Sequence, residues 1–219
     1  MKIQDFKSLK DIHEYFAVHN SCALKKVATQ PVYEIQPPKS GIIFIGEAPG
    51  RNEDKQGKPF VGTAGKLLDD MLKKIDLTRN DVYVTNVVKY RPPSNRDPSV
   101  EEKESCRVWV NAELIFLKPK VIVPLGRHAL ERFLPDLKIS LVHGQAYTHS
   151  SGTPIFAMYH PAAALYNPNL KETLAKDFVK LDSFLEGKTQ AIEYEEKEPL
   201  NEKKDSKAKQ KAIKEILEM

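Results

Sequence analysis

The spacing of apolar residues changes period repeatedly along the chain, and each change marks a new element. Leu9, Ile12, Tyr15 and Phe16 recur at helical spacing and predict an amphipathic helix over residues 8–18. An irregular stretch with Pro31, Pro37 and Pro38 leads into Ile42-Ile43-Phe44-Ile45. That short β-rich run stops at Gly46 and reads as a buried strand. Leu67, Leu68, Met71, Leu72 and Ile75 share one face of a predicted helix over 64–75. Further strands are predicted at 82–85, 121–125 and 155–159. Residues 100–117, 126–133 and 170–185 read as helices. The glycine- and charge-rich residues after Gly46 read as a long loop. Pro92, Pro93 and Pro98 keep residues 89–98 from forming a helix.

Strands alternating with helices predict an α/β fold, a three-layer α/β/α sandwich around a mainly four-stranded parallel sheet. Ligands of such sheets bind beyond the carboxyl ends of the strands. Three of those ends, Gly46-Glu47, Asn86 and His160, come from separate parts of the chain, and this fold brings them to one edge. The 219 residues divide into a domain over 1–186 and a charged tail over 187–219. In the tail an acidic run at 193–198 precedes a lysine-rich run at 203–214. It reads as a solvated, partly disordered extension with a short terminal helix, and its lysines are candidates for non-specific phosphate contacts.

With 41% hydrophobic and 29% charged residues, the composition is that of an ordinary globular domain. No apolar run approaches the roughly 18 residues a membrane span needs. The acid-bearing N-terminus is not a signal peptide, so a cytoplasmic protein without a membrane partner is expected. A net charge of +4 permits a polyanionic partner without requiring one. The two cysteines, Cys22 and Cys106, give no disulfide framework.

Candidate chemistry gathers in three stretches. The first runs from Gly46-Glu47-Ala48-Pro49-Gly50 through Glu53-Asp54 to Gly57-Lys58-Pro59-Phe60-Val61-Gly62-Thr63-Ala64-Gly65. So many glycines between a strand and a helix suggest backbone that approaches a ligand closely. Neither common phosphate-binding pattern fits: Pro59 stands where a P-loop needs Ser or Thr, and no G-x-G-x-x-G opens the helix. What remains is a loop of carboxylates with an aromatic, although a lone Phe60 is more often core than ligand platform. In the second stretch, running from Thr85 to Arg96, Asn86 falls where a strand ends. An amide there donates and accepts together, which suits a nucleobase edge, though a lone Asn is commonly a cap or turn residue. In the third, Tyr159-His160-Pro161-Ala162-Ala163-Ala164-Leu165-Tyr166, Pro161 limits His160 to an extended backbone at a strand's mouth. His13, His19, His128, His143 and His149 have no comparable setting and read as ordinary surface or core residues.

Together these stretches, with Pro119-Lys120-Val121-Ile122-Val123-Pro124-Leu125-Gly126, resemble the uracil-DNA glycosylase superfamily. Within it they resemble family 4, the thermostable iron–sulfur type. The resemblance covers about residues 10–186. It implies an enzyme of base-excision repair that hydrolyses the N-glycosidic bond of deoxyuridine in single- and double-stranded DNA, acting as a monomer. Hypoxanthine or xanthine as the excised base, or a non-catalytic damage-binding module, are the alternatives. By the same resemblance Phe60 stacks on the extruded base, Asn86 reads its polar edge beside Gly46, and His160 donates to the departing uracil. The best-known superfamily members carry an aspartate where Ala48 stands. Glu53 with Asn95, and Glu47, are therefore the candidates for positioning water. The loop after His160 resembles a DNA-intercalating loop, with Pro161, Ala164 and above all Leu165 as candidates. Arginine usually stands where this chain has Tyr166.

One departure stands out. The family typically binds a [4Fe–4S] cluster through four cysteines. Here the corresponding positions read His19, Cys22, Tyr90 and Cys106. A cubane cluster normally takes four thiolates, so the expectation is that the cluster has been lost and that no metal or cofactor remains.

Overall fold

The computed structural model describes residues 5–148 and 152–196. The lysine-rich run at 203–214 and His149 lie outside the described residues. Among the described residues six strands form one sheet: β1 (Ile42–Gly46), β2 (Val82–Asn86), β3 (Val121–Pro124), β4 (Gln145–Thr148), β5 (Pro154–Ala157) and β6 (Ile192–Glu193). Their order is β2-β1-β3-β5-β4-β6. The first four in that order run parallel, β4 is antiparallel to β5, and β6 is parallel to β4. The expected four-stranded parallel sheet is thus the larger part of a mixed, six-stranded one. The two extra strands are four and two residues long, too short to carry a readable period. β6 also lies beyond residue 186, so the sheet takes in chain that the sequence assigns to the tail.

Alternation along the strands builds three layers. Ile42, Phe44, Val82, Val84, Val121 and Val123 point to one face and pack with Leu68, Leu72 and Phe178. That face is covered by α3 (Thr63–Lys73), α7 (Pro161–Ala164) and α8 (Pro168–Leu185). Ile43, Ile45, Tyr83, Ile122 and Ile155 point to the other face, toward α1 (Leu9–His19), α4 (Val100–Leu117) and α5 (Arg127–Glu131). Each fully buried Leu, Ile or Phe stabilises the fold by roughly 1.5–3 kcal/mol. α4 begins with a capping box in which Ser99 and Glu102 satisfy each other's backbone N–H groups.

The glycine-rich loop contains a helix that periodicity does not predict, α2 (Arg51–Gln56). Its buried residue is Asp54, whose carboxylate accepts from the Thr29 N–H at 2.9 Å and the Thr29 hydroxyl at 2.7 Å. A helix seated through a carboxylate leaves no apolar pattern to read. A fourth short helix, α6 (Ile139–Val142), precedes β4.

The α1/α4 side of the sheet also holds a buried polar cluster. Lys89 and Glu113 are both fully buried and pair at 2.7 Å. Thr85 accepts from Lys89 and donates to Glu113, and the Tyr83 hydroxyl donates to Glu113 at 3.0 Å. Beside them His13 accepts from Trp109 Nε1–H through Nδ1 at 2.8 Å and donates through Nε2 to the Glu34 carbonyl at 2.9 Å. This cluster anchors β2 directly before Asn86.

Candidate active site

The carboxyl ends of the parallel strands open into a cavity of about 520 Å³. Gly46 ends β1 and Asn86 ends β2, paired in register, and His160 follows β5. Phe60 arrives from the loop between α2 and α3. All four meet in one slot. The Phe60 and His160 rings lie 5.5 Å apart at 32°. A Cβ on Gly46 would sit 2.5 Å from Asn86 Oδ1 and 2.7 Å from the Phe60 ring, so only glycine leaves the slot open there. Asn86 Oδ1 is buried and has no hydrogen-bond partner among the described residues. A buried acceptor left unpaired costs about 1–3 kcal/mol, and that cost is recovered when a ligand donates to it.

His160 is held in one protonation state. It caps α7, and its Nδ1 accepts from the Ala162 N–H at 3.0 Å. The proton of the neutral ring is therefore on Nε2. Burial pushes its pKa down to about 4, so the ring is neutral at physiological pH.

The three candidate water-positioning residues all line the cavity. Glu53, on α2, accepts from the Gly62 N–H at 2.7 Å and so ties α2 to the start of α3. Asn95 lies in a 3-10 turn over Pro93–Asn95, and its Oδ1 accepts from Arg91 Nε at 2.7 Å. Glu47 is half-buried. Desolvation raises its pKa, opposed chiefly by the nearby His128. His128 Nε2 lies 3.8 Å from Glu47 and 3.1 Å from Asp97. His128 belongs beside the site, and its place there comes from the fold bringing α5 next to β1.

The intercalation candidates separate. Pro161 and Ala164 are buried, with Ala164 packed into the core that holds Phe60. Leu165 is half-buried, while Tyr166 is 93% exposed.

Residues 33–186 match the model of the uracil DNA glycosylase superfamily. The chain belongs to that family. The type-4 uracil-DNA glycosylase of Sulfurisphaera tokodaii is 41% identical over 215 residues, 89% of this chain and 98% of that protein. That of Archaeoglobus fulgidus is 46% identical over 183 residues, 80% of this chain and 92% of that protein. A type-5 uracil-DNA glycosylase of Pyrobaculum aerophilum is 30% identical over 155 residues, 62% of this chain and 68% of that protein. Within the superfamily the chain falls in family 4, and it carries two cysteines, Cys22 and Cys106.

The residues at the family's cluster positions do not suit a cubane cluster. Cys22 and Cys106 are buried free thiols, and Cys22 Sγ donates to the Glu102 carbonyl at 3.9 Å. Tyr90 is buried with its ring edge-on to Trp109 at 6.2 Å, filling space beside the thiols. His19 is exposed at the end of α1, its Nδ1 bonded to the Tyr15 carbonyl at 2.8 Å. Two thiols, a phenol and an outward imidazole are not the four thiolates such a cluster takes.

Proposed function

We propose that this chain is a monofunctional DNA glycosylase of base-excision repair that hydrolyses the N-glycosidic bond of deoxyuridine, releasing uracil and leaving an abasic site. The observation that carries the reading is the unpaired, buried Oδ1 of Asn86 at the wall of a slot lined by Phe60 and His160. Uracil offers an N3–H donor to that acceptor, where cytosine offers a lone pair. A site built on such a bond discriminates strongly, because a wrong base leaves buried groups unpaired.

The base must leave the helix to reach the slot, at a cost of a few kcal/mol. Phe60 then stacks on it. As the C1′–N1 bond breaks, its electrons depart on uracil, and His160 Nε2–H donates to the carbonyl oxygen where negative charge gathers. One such fixed donor contributes on the order of 3 kcal/mol. Water adds to C1′ and passes a proton to a carboxylate. We assign that role first to Glu47, with Glu53 and Asn95 shaping the loop around it. Leu165 is the side chain we assign to the gap the base vacates, with the exposed Tyr166 next to it. The reading extends to a monomer acting on single- and double-stranded DNA in the cytoplasm. No helix among the described residues is long and apolar enough to cross a membrane.

The test is incubation with oligonucleotides bearing one uracil, hypoxanthine, xanthine or thymine, followed by alkali. Strand cleavage at uracil alone is expected. Cleavage only at another base assigns a different substrate, and binding without cleavage makes the chain a damage-binding module. Retention of near-full excision by both Glu47→Gln and Glu53→Gln overturns the assignment of the water.

A further inference from the structure

Phe60 adopts a conformation that its own sequence does not favour. Its φ is +53°, in the left-handed region that non-glycine residues rarely occupy. Such a backbone persists where its surroundings hold it, and here three features do so. The first turn of α3 passes over the Phe60 carbonyl so closely that a Cβ on Gly65 would fall 1.7 Å from its oxygen. The carbonyl accepts from Arg79 Nη2 at 2.8 Å. The Arg79 guanidinium carbon lies 6.0 Å from the centre of the Phe60 ring, at the limit of cation–π attraction.

Arg79 is itself fixed. It sits in the turn between α3 and β2, and its Nε donates to Asp69 Oδ1, on α3, at 2.9 Å. The pair is partly screened from water, with side-chain exposures of 28% for Arg79 and 40% for Asp69. One guanidinium thus ties α3, the glycine-rich loop and the approach to β2 together at the base-stacking ring. A planar fork holds its two N–H groups at two acceptors in a fixed geometry, which an ammonium on a flexible stem reproduces only in part.

We propose that Arg79, oriented by Asp69, is a positioning residue that fixes Phe60 as the stacking platform, and that it sets affinity for the extruded base while leaving bond cleavage to other groups. The proposal rests on the reading of Phe60 as that platform. It separates two properties that a general loss of structure would lower together.

The measurement is single-turnover excision from a single-stranded oligonucleotide with one deoxyuridine, over a range of full-chain enzyme concentrations. This yields a half-saturating concentration and a maximal rate. Arg79→Met is expected to raise the half-saturating concentration about tenfold while the maximal rate stays within about threefold. Asp69→Asn shifts it in the same direction by less, and Arg79→Lys recovers part of the loss. Both keep the proposal open to test if Arg79→Met melts early. In a Phe60→Ala background Arg79→Met adds nothing, because the group it positions is gone. Equal and additive losses in both backgrounds, or a loss in maximal rate alone, overturn the role of Arg79. Wild-type affinity in Phe60→Ala itself overturns the stacking reading on which the proposal stands.

Discussion

His160 and Glu47 show how position, more than residue type, sets the chemistry. The Ala162 N–H at Nδ1 and the burial of the ring together make His160 a neutral Nε2–H donor. Its ring is expected to titrate near pH 4 by NMR, with the Nε2–H tautomer present above that pH. A midpoint near the ordinary imidazole value contradicts the account. His160→Ala is expected to lower the single-turnover excision rate by about 10²–10³-fold, the usual consequence of losing one fixed donor. Glu47 is pulled two ways, raised by desolvation and lowered mainly by His128. Removing the imidazole in His128→Ala leaves Glu47 beside Asp97 without that support, so its pKa rises further. If the ionised Glu47 accepts the proton from water, the acid limb of kcat/KM moves to higher pH in this variant. An unmoved limb places the titrating base elsewhere.

At the level of elements, the polar cluster between α1, α4 and β2 links acid sensitivity to the site. Burial pushes the pKa of His13 down to about 4 from an unfolded value of 6.5. Between those values the unfolded chain binds the proton that the folded chain refuses. Stability is therefore full above about pH 6.5 and is lost as pH falls toward 4, by about 3 kcal/mol from this group. Urea titrations at stepped pH are expected to show that loss, and to show it reduced in His13→Gln. The long elements were legible because their apolar residues keep one period: Leu68, Met71 and Leu72 lie on the buried face of α3 that the sequence predicts. What stayed hidden has a common cause. α2 is seated through Asp54, β6 spans two residues, and His128 reaches Glu47 across the fold. None of these leaves a mark in local spacing. The slot itself was legible as Gly46, Asn86 and His160 at strand ends. The left-handed Phe60 and its Arg79 clamp were not, because they depend on the course of the turn after α3.

For the molecule as a whole, packing takes the place of a metal centre. The junction of α1 with α4 is held by Cys22, Tyr90, Cys106 and Trp109, all buried. It is imperfect at one atom, since the Tyr90 hydroxyl is buried without a hydrogen-bond partner among the described residues. Tyr90→Phe removes that unpaired group and is expected to raise stability by about 1 kcal/mol in chemical denaturation, with excision unchanged. A loss of stability instead means that the hydroxyl has a partner in solution. Phe60, Asn86 and His160 close one slot for the base, and a crystal of the full chain grown with free uracil tests that most directly. The base is expected against Phe60, with N3–H within about 3 Å of Asn86 Oδ1 and a carbonyl oxygen at the same range from His160 Nε2. Uracil bound elsewhere, or a slot left without the base at saturating concentration, contradicts it.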